Sequence, residues 1–151
     1  MFGPDLLTSC QLTMPAAETT SAGTAVNGTA VDMQGYDGVI FVARINTANA
    51  GNFLKAQHGD LANGSDAVDL AGTKVVTIAD GNLAILDVVC PAKGATVGPR
   101  YIRPVIIRAG ANTVTGPIIA IRYNASKKPT VNTVASVADA KTVISPAEGT
   151  P

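Results

Sequence analysis

Residues 39–46 read VIFVARIN, and their alternation decides the fold class. Side chains on a strand point to opposite faces in turn, so Val39, Phe41, Ala43 and Ile45 share one face while Ile40, Val42, Arg44 and Asn46 share the other. The first face is the expected core side. Asn27-Gly28 and Asp37-Gly38 precede this run, and both dipeptides suit tight turns because their residues adopt positive φ at low cost. Working outward, strand-length apolar runs recur at 53–58, 74–79, 83–90, 101–109 and 117–123, with a weaker one around Leu6, Leu7, Leu12 and Met14. Asp80-Gly81-Asn82 and the stretch PAKGATVGP separate three of them. About eight short strands without strand–helix alternation predict an all-β protein, a jelly-roll-like antiparallel β-sandwich with extended N- and C-terminal arms. An immunoglobulin-like sandwich is the alternative, but the chain has no Trp to fill that fold's core position. Ile40, Phe41, Val42, Ile85, Leu86, Val88, Ile106, Ile107, Ile119 and Ile121 are the expected core, unless some of them pack at an interface instead.

A chain of 151 residues is long enough for one domain with its own core and needs no disulfide or metal staple. The reading divides it into an arm or short strand at 1–22, a sandwich body at 23–123 and an extended arm at 124–151. Eleven basic residues balance eleven acidic ones, so no long-range field draws nucleic acid or an anionic membrane. No apolar run approaches the roughly 20 residues that span a bilayer. The N-terminus lacks a basic stretch, and Pro4, Asp5 and Gln11 interrupt its apolar residues, so no secretory signal is expected. Cys10 and Cys90 have neither CxxC nor zinc-site spacing and read as reduced, partly buried thiols of a protein made in a cytoplasm.

Little in the sequence points to chemistry. His58 is the one histidine, so a nucleophilic triad would have to combine it with Cys90 or a serine and with Asp60 or Asp87. No GxSxG motif accompanies it, and a histidine at a strand end is more often a surface residue. Asp60, Asn63, Ser65, Asp66 and Asp69 give the loop after it a hard-oxygen character. Their spacing is not that of an EF-hand and no bidentate Glu follows. A solvated turn with a helical turn over 65–70 is therefore expected, without metal. The reading names no catalytic residue, cofactor or metal, and the protein is not expected to be an enzyme.

Contact residues are the better candidates. In RYIRPVIIR at 100–108, Arg103 shares a face with Tyr101 while Arg108 points the other way, so the arginines form no phosphate-tracking stripe. Tyr101 with a nearby arginine suits a protein interface instead. Pro104 lacks a ladder donor and predicts a sheet edge or bulge. After Tyr123 the apolar residues thin out to Val131, Val134, Val137, Val143 and Ile144 among prolines and small residues, the texture of an arm that orders on a neighbour. Tyr101, Arg103, Arg108 and those five aliphatic residues form the expected partner-binding set.

The segments AVDMQGYDGVIFVARI (30–45), RYIRPVIIRA (100–109) and GPIIAIRY (116–123) with KKP after it, and the ending SPAEGTP, resemble small virion structural proteins of tailed bacteriophages, in particular capsid decoration or cement proteins. The resemblance covers about residues 26–151 and rests on texture, not on a chemical motif. It implies a β-rich, often jelly-roll body that oligomerises on the outer capsid surface and braces major capsid protein subunits. The expected partners are then the major capsid protein and further copies of the chain, a trimer ahead of a dimer, with no nucleic acid and no membrane. A carbohydrate-binding β-sandwich of a receptor-binding head or tail component is the alternative. Sugar platforms usually need Trp or Tyr, and only Tyr36, Tyr101 and Tyr123 are present.

Overall fold

The computed structural model describes residues 6–77, 79–90, 100–133, 135 and 137–141. A single helical turn, α1 (Leu6–Ser9), leads into β1 (Gln11–Ala16). The strands that follow are β2 (Val26–Asn27), β3 (Val31–Asp32), β4 (Gly38–Thr47), β5 (Phe53–Gly59), β6 (Val68–Asp69), β7 (Val75–Val76), β8 (Leu83–Val89), β9 (Tyr101–Ile107) and β10 (Val114–Tyr123). One sheet has the order β1-β10-β4-β8; in the other, β9 lies between β5 and the pair β2 and β3, while β6 and β7 line the far side of β5. Every pairing is antiparallel. Taking β2 with β3, and β6 with β7, as interrupted strands leaves eight strands in two four-stranded sheets. The chain passes from sheet to sheet in the wrapping order of a jelly roll.

The alternation in β4 sets the core. Val39, Phe41 and Ile45 are fully buried and Ala43 is 1% exposed, facing Leu54 and Ala56 of β5 and Ile102 and Ile106 of β9. Alanines at 43, 56, 84 and 120 in this layer let the sheets close on one large side chain, Phe41, and explain a core rich in Val, Ile and Ala.

Several expectations need correction. Phe41, Leu86 and Ile106 are core residues and Val88 packs against them, but Ile85 and Ile119 are 57% and 39% exposed. Registers Val42↔Ile85 and Val42↔Ile119 put both on the outer face, where Ile40, Val42 and Ile121 are half-buried. Ile107 is also only half-buried. Within 65–70 only Val68–Asp69 form a strand, β6, and residues 65–66 lie in a turn, because Asp66 accepts hydrogen bonds from the Asp60 and Leu61 amides and closes the loop before any helical turn. The strand expected over 74–79 shrinks to β7.

Pro104 is fully buried in β9, between two neighbouring strands and not at an edge. Its carbonyl accepts from Gly28 N at 2.8 Å, so its donor-less nitrogen faces the gap between β2 and β3, where no ladder bond is lost. Gly28 is thus not a turn glycine: a Cβ there would lie 2.7 Å from the Pro104 ring. Gly38 likewise begins β4, and a Cβ on it would overlap the Tyr123 hydroxyl and come within 2.9 Å of Val88 O. Gly38→Ala is expected to cost about 1–3 kcal/mol by overpacking. In a double-mutant cycle of thermal unfolding, adding Tyr123→Ala should recover part of that loss; strict additivity would place the strain elsewhere.

Both segments flanking 23–123 pack on the body, and the 1–22 segment takes the short-strand alternative. β1 is an integral strand paired to β10, and Arg108 fastens residues 19–24. Beyond Tyr123, Asn124 turns the chain back at φ 52°, and the following residues lie across α1 and β1.

Candidate functional site

Of the groups named for a triad, Asp60 directly follows the strand of His58, but Cys90 and Asp87 belong to the other sheet. His58 is on β5, paired with Ile102 and Val68, whereas Asp87 is on β8 and Cys90 directly follows that strand. Both cysteines are free thiols, and burial, with Asp87 nearby, pushes the Cys90 thiol up, away from the reactive thiolate. In the long loop, Asp66 is engaged by backbone amides and Asp69 by Lys55 Nζ at 2.6 Å and Gln57 Nε2 at 2.6 Å. Among the described residues no three His, Cys, Asp or Glu side chains cluster as a metal site.

The RYIRPVIIR strand separates its arginines as the alternation requires. Arg108 follows Ile102, Pro104 and Ile106 onto the inner face and is 9% exposed. Its guanidinium donates to Thr20 O at 3.0 Å, Thr24 Oγ1 at 2.9 Å, Thr19 Oγ1 at 3.1 Å and Thr24 O. Those donors are used within the chain to hold residues 19–24, which leaves Arg108 no free face for a partner. Arg103 lies on the outer face, half-buried, with Nε donating to Gln57 Oε1 at 2.8 Å. Tyr101 is half-buried, and the arginine over its ring is Arg100, 5.3 Å from the centroid.

Arg100 also pairs with Asp32 through Nε at 2.8 Å and through Nη2. The Arg100 guanidinium, helped by the Gln34 amide, holds the Asp32 carboxyl below its ordinary value of 3.8. Beside it Arg122 of β10 stacks on Tyr36 at 4.7 Å and donates to Asp32 O at 2.6 Å and to Gln11 Oε1. This clasp joins the two sheets at one end, and the sequence reading did not single it out.

The tail residues divide into two groups. From 125 to 132 the chain forms a strap: Ala125 N donates to Ser9 O at 3.0 Å, Ser126 N to Gly35 O at 2.8 Å and Thr130 N to Thr8 O at 2.9 Å. Thr130 Oγ1 reaches Cys10 O at 2.6 Å, and Leu12 N donates to Asn132 Oδ1 at 2.8 Å. Val131 nonetheless leaves 75% of its surface in water, and Val137 is half-buried. Val134, Val143 and Ile144 lie outside the described residues.

The surface that sequence reasoning missed is the outer face of the β1-β10-β4-β8 sheet. Leu83, Ile85 and Val89 on β8 are each more than half exposed, and Ile119 continues the apolar surface on β10. The signal was present, since β4, β8 and β10 carry aliphatic residues on both faces.

No protein-family model and no curated protein matches the chain. Among solved structures, it is similar to a subunit of Bacillus endospore appendages, described as disulfide-linked pili, at 16% identity and a TM-score of 0.44, covering 83% of this chain and 97% of that one. It is also similar to infectious bursal disease virus VP2 in a subviral particle, at 15% identity and a TM-score of 0.47, covering 81% of this chain and 34% of VP2. The T13 particle of that virus gives 15% identity and a TM-score of 0.45, with 82% of this chain and 33% of the other covered. At these identities and scores nothing about binding or assembly transfers from these proteins.

Proposed function

We propose that the chain is a structural component of a virus particle, a capsid decoration protein of a tailed bacteriophage that binds the major capsid protein on the outer shell and braces it. The observation that carries this reading is where the large exposed apolar side chains lie. They stand on sheet faces, loops and the C-terminal strap, as on Leu83, Ile85 and Val131, and so suit contact with another protein surface. A jelly-roll body is a rigid mount for such surfaces, and the sequence resemblance points to the same class. Val131 and Val137, continued by Val134, Val143 and Ile144, would bury apolar area on the capsid, with Tyr101 and Arg103 adding a polar contact from the other sheet. Repetition of these contacts around the shell would give tight attachment from modest patches.

Mass spectrometry of purified phage particles should find the chain at a fixed ratio to the major capsid protein. Shells stripped of it should take it back saturably. Absence from the particle, or saturable binding to glycans in place of shells, would overturn the reading.

A further inference from the structure

We infer that the outer face of the β1-β10-β4-β8 sheet is where a second copy of this chain docks, around a two-fold axis along the row Val42, Ile85 and Ile119. The inference deepens the reading above by naming one partner, and it rests on that reading only in taking the chain to work through its surfaces.

The β4 registers place these three side chains side by side on the outside of three adjacent strands. One outward row away, Ile40 lies beside Asp87 and Ile121; on the other side, Arg44 lies beside Leu83. Leu83 and Ile85 are 62% and 57% exposed, Val89 62% and Ile119 39%. With their half-buried neighbours they present roughly 500 Å² of apolar surface, at the upper end for a monomer, and two copies would remove about 1,000 Å² from water, the lower limit for a specific interface and the range of a reversible one.

Charge identifies the occupant. Asp87 and Arg44 are both exposed, one on each side of the apolar row. A two-fold axis along that row exchanges the flanking rows, bringing Asp87 of each copy over the row that holds Arg44 of the other. The lateral offset is one strand, about 4.8 Å, within an arginine's reach. The contact is therefore self-complementary, as a two-fold interface must be. With no net charge, no long-range repulsion opposes the approach of two copies. A three-fold axis makes no such exchange, so a pairwise contact replaces the expected trimer. The strap crosses α1 and β1, at the opposite edge of the sheet from β8, and stays available to the capsid.

Sedimentation velocity of the full chain over a concentration series, run in parallel with shell binding, tests this. A monomer–dimer equilibrium is expected, weakened more than about 100-fold by Ile85→Lys, which places a lysine in an apolar contact on each copy. The far-ultraviolet spectrum should not change, nor the melting temperature at concentrations where the native chain is monomeric, because Ile85 lies outside the core. Arg44→Glu and Asp87→Lys should each weaken pairing about tenfold, and the double variant should restore it. Tyr123→Phe controls for the hydrogen bond that Asp87 accepts from Tyr123 Oη at 2.8 Å and should leave pairing unchanged. A chain that stays monomeric, a dimer indifferent to Ile85→Lys, or no rescue by the charge swap overturns the inference. A monomer whose shell binding is lost with Ile85→Lys also overturns it and assigns the face to the capsid. A dimer that behaves as expected but binds no shell leaves the inference standing and removes the proposed function.

Discussion

The Phe41→Ala variant is expected to lose about 3–5 kcal/mol of stability, the largest effect of any single substitution considered for this chain. Phe41 is fully buried in β4, flanked in register by Ala120 of β10 and Leu86 of β8. It is the one aromatic residue among the buried hydrophobics of the described chain. The layer around it includes Ala43, Ala56, Ala84 and Ala120, whose short side chains on paired strands cannot extend to refill a cavity. The cost should therefore combine the lost transfer energy with an uncollapsed void. For a body of this size the loss corresponds to a melting temperature lower by about 10–20 °C. Equilibrium denaturation of this variant beside Ile85→Ala gives the check. Ile85 is on the same sheet but the outer face, and its truncation should cost under about 1 kcal/mol at concentrations where the chain is monomeric. Similar losses for the two variants would mean that the assigned core face is wrong.

That contrast shows how far the sequence could be read. The core face of β4 was legible because its outer partner face ends in Arg44 and Asn46, which breaks the symmetry of the alternation. In β8 the same cue stands in Asp87, which shares a face with Ile85, whereas in β10 it misleads, because Arg122 shares the inner face with Ile118 and Ile119 alternates with it among aliphatic residues. Gly28 and Gly38 looked like turn glycines because Asn-Gly and Asp-Gly pairs commonly are. What requires them is a Pro104 ring and a Tyr123 hydroxyl more than 70 residues away in sequence, which no local pattern records. Pro104 misled for the same reason, since the interruption between β2 and β3 that accommodates it is a tertiary fact. For the candidate surfaces, the opposite facing of Arg103 and Arg108 was legible, but that Arg108 faces inward depends on the sheet opposite.

The strap leads to the second large effect, and it divides the C-terminal segment at a different point from the one the sequence suggests. Sparse apolar residues after Tyr123 imply that a chain ending at Asn124 should melt like the full protein. The hydrogen bonds say otherwise. Removing residues 125–133 leaves Leu12 N, Ser9 O and Cys10 O without the partners they have in Asn132, Ala125 and Thr130. It also uncovers Cys10, which is 5% exposed, and removes Ala125, 8% exposed, from its packing. Net contributions of about 0.5–1.5 kcal/mol per hydrogen bond, partly offset by the entropy regained when the strap is released, give an expected loss of roughly 2–4 kcal/mol. A chain ending at Thr133 keeps all of those contacts and should retain the full melting temperature. It lacks Val134, Val137, Val143 and Ile144, so under the proposed function it should bind shells several-fold more weakly while folding normally. Melting curves of the two truncations, followed by co-sedimentation of the longer one with shells, separate the roles. Equal melting temperatures for both would reduce the strap to a passive cover, and undiminished shell binding by the chain ending at Thr133 would move the capsid contact off the tail and onto the sheet faces.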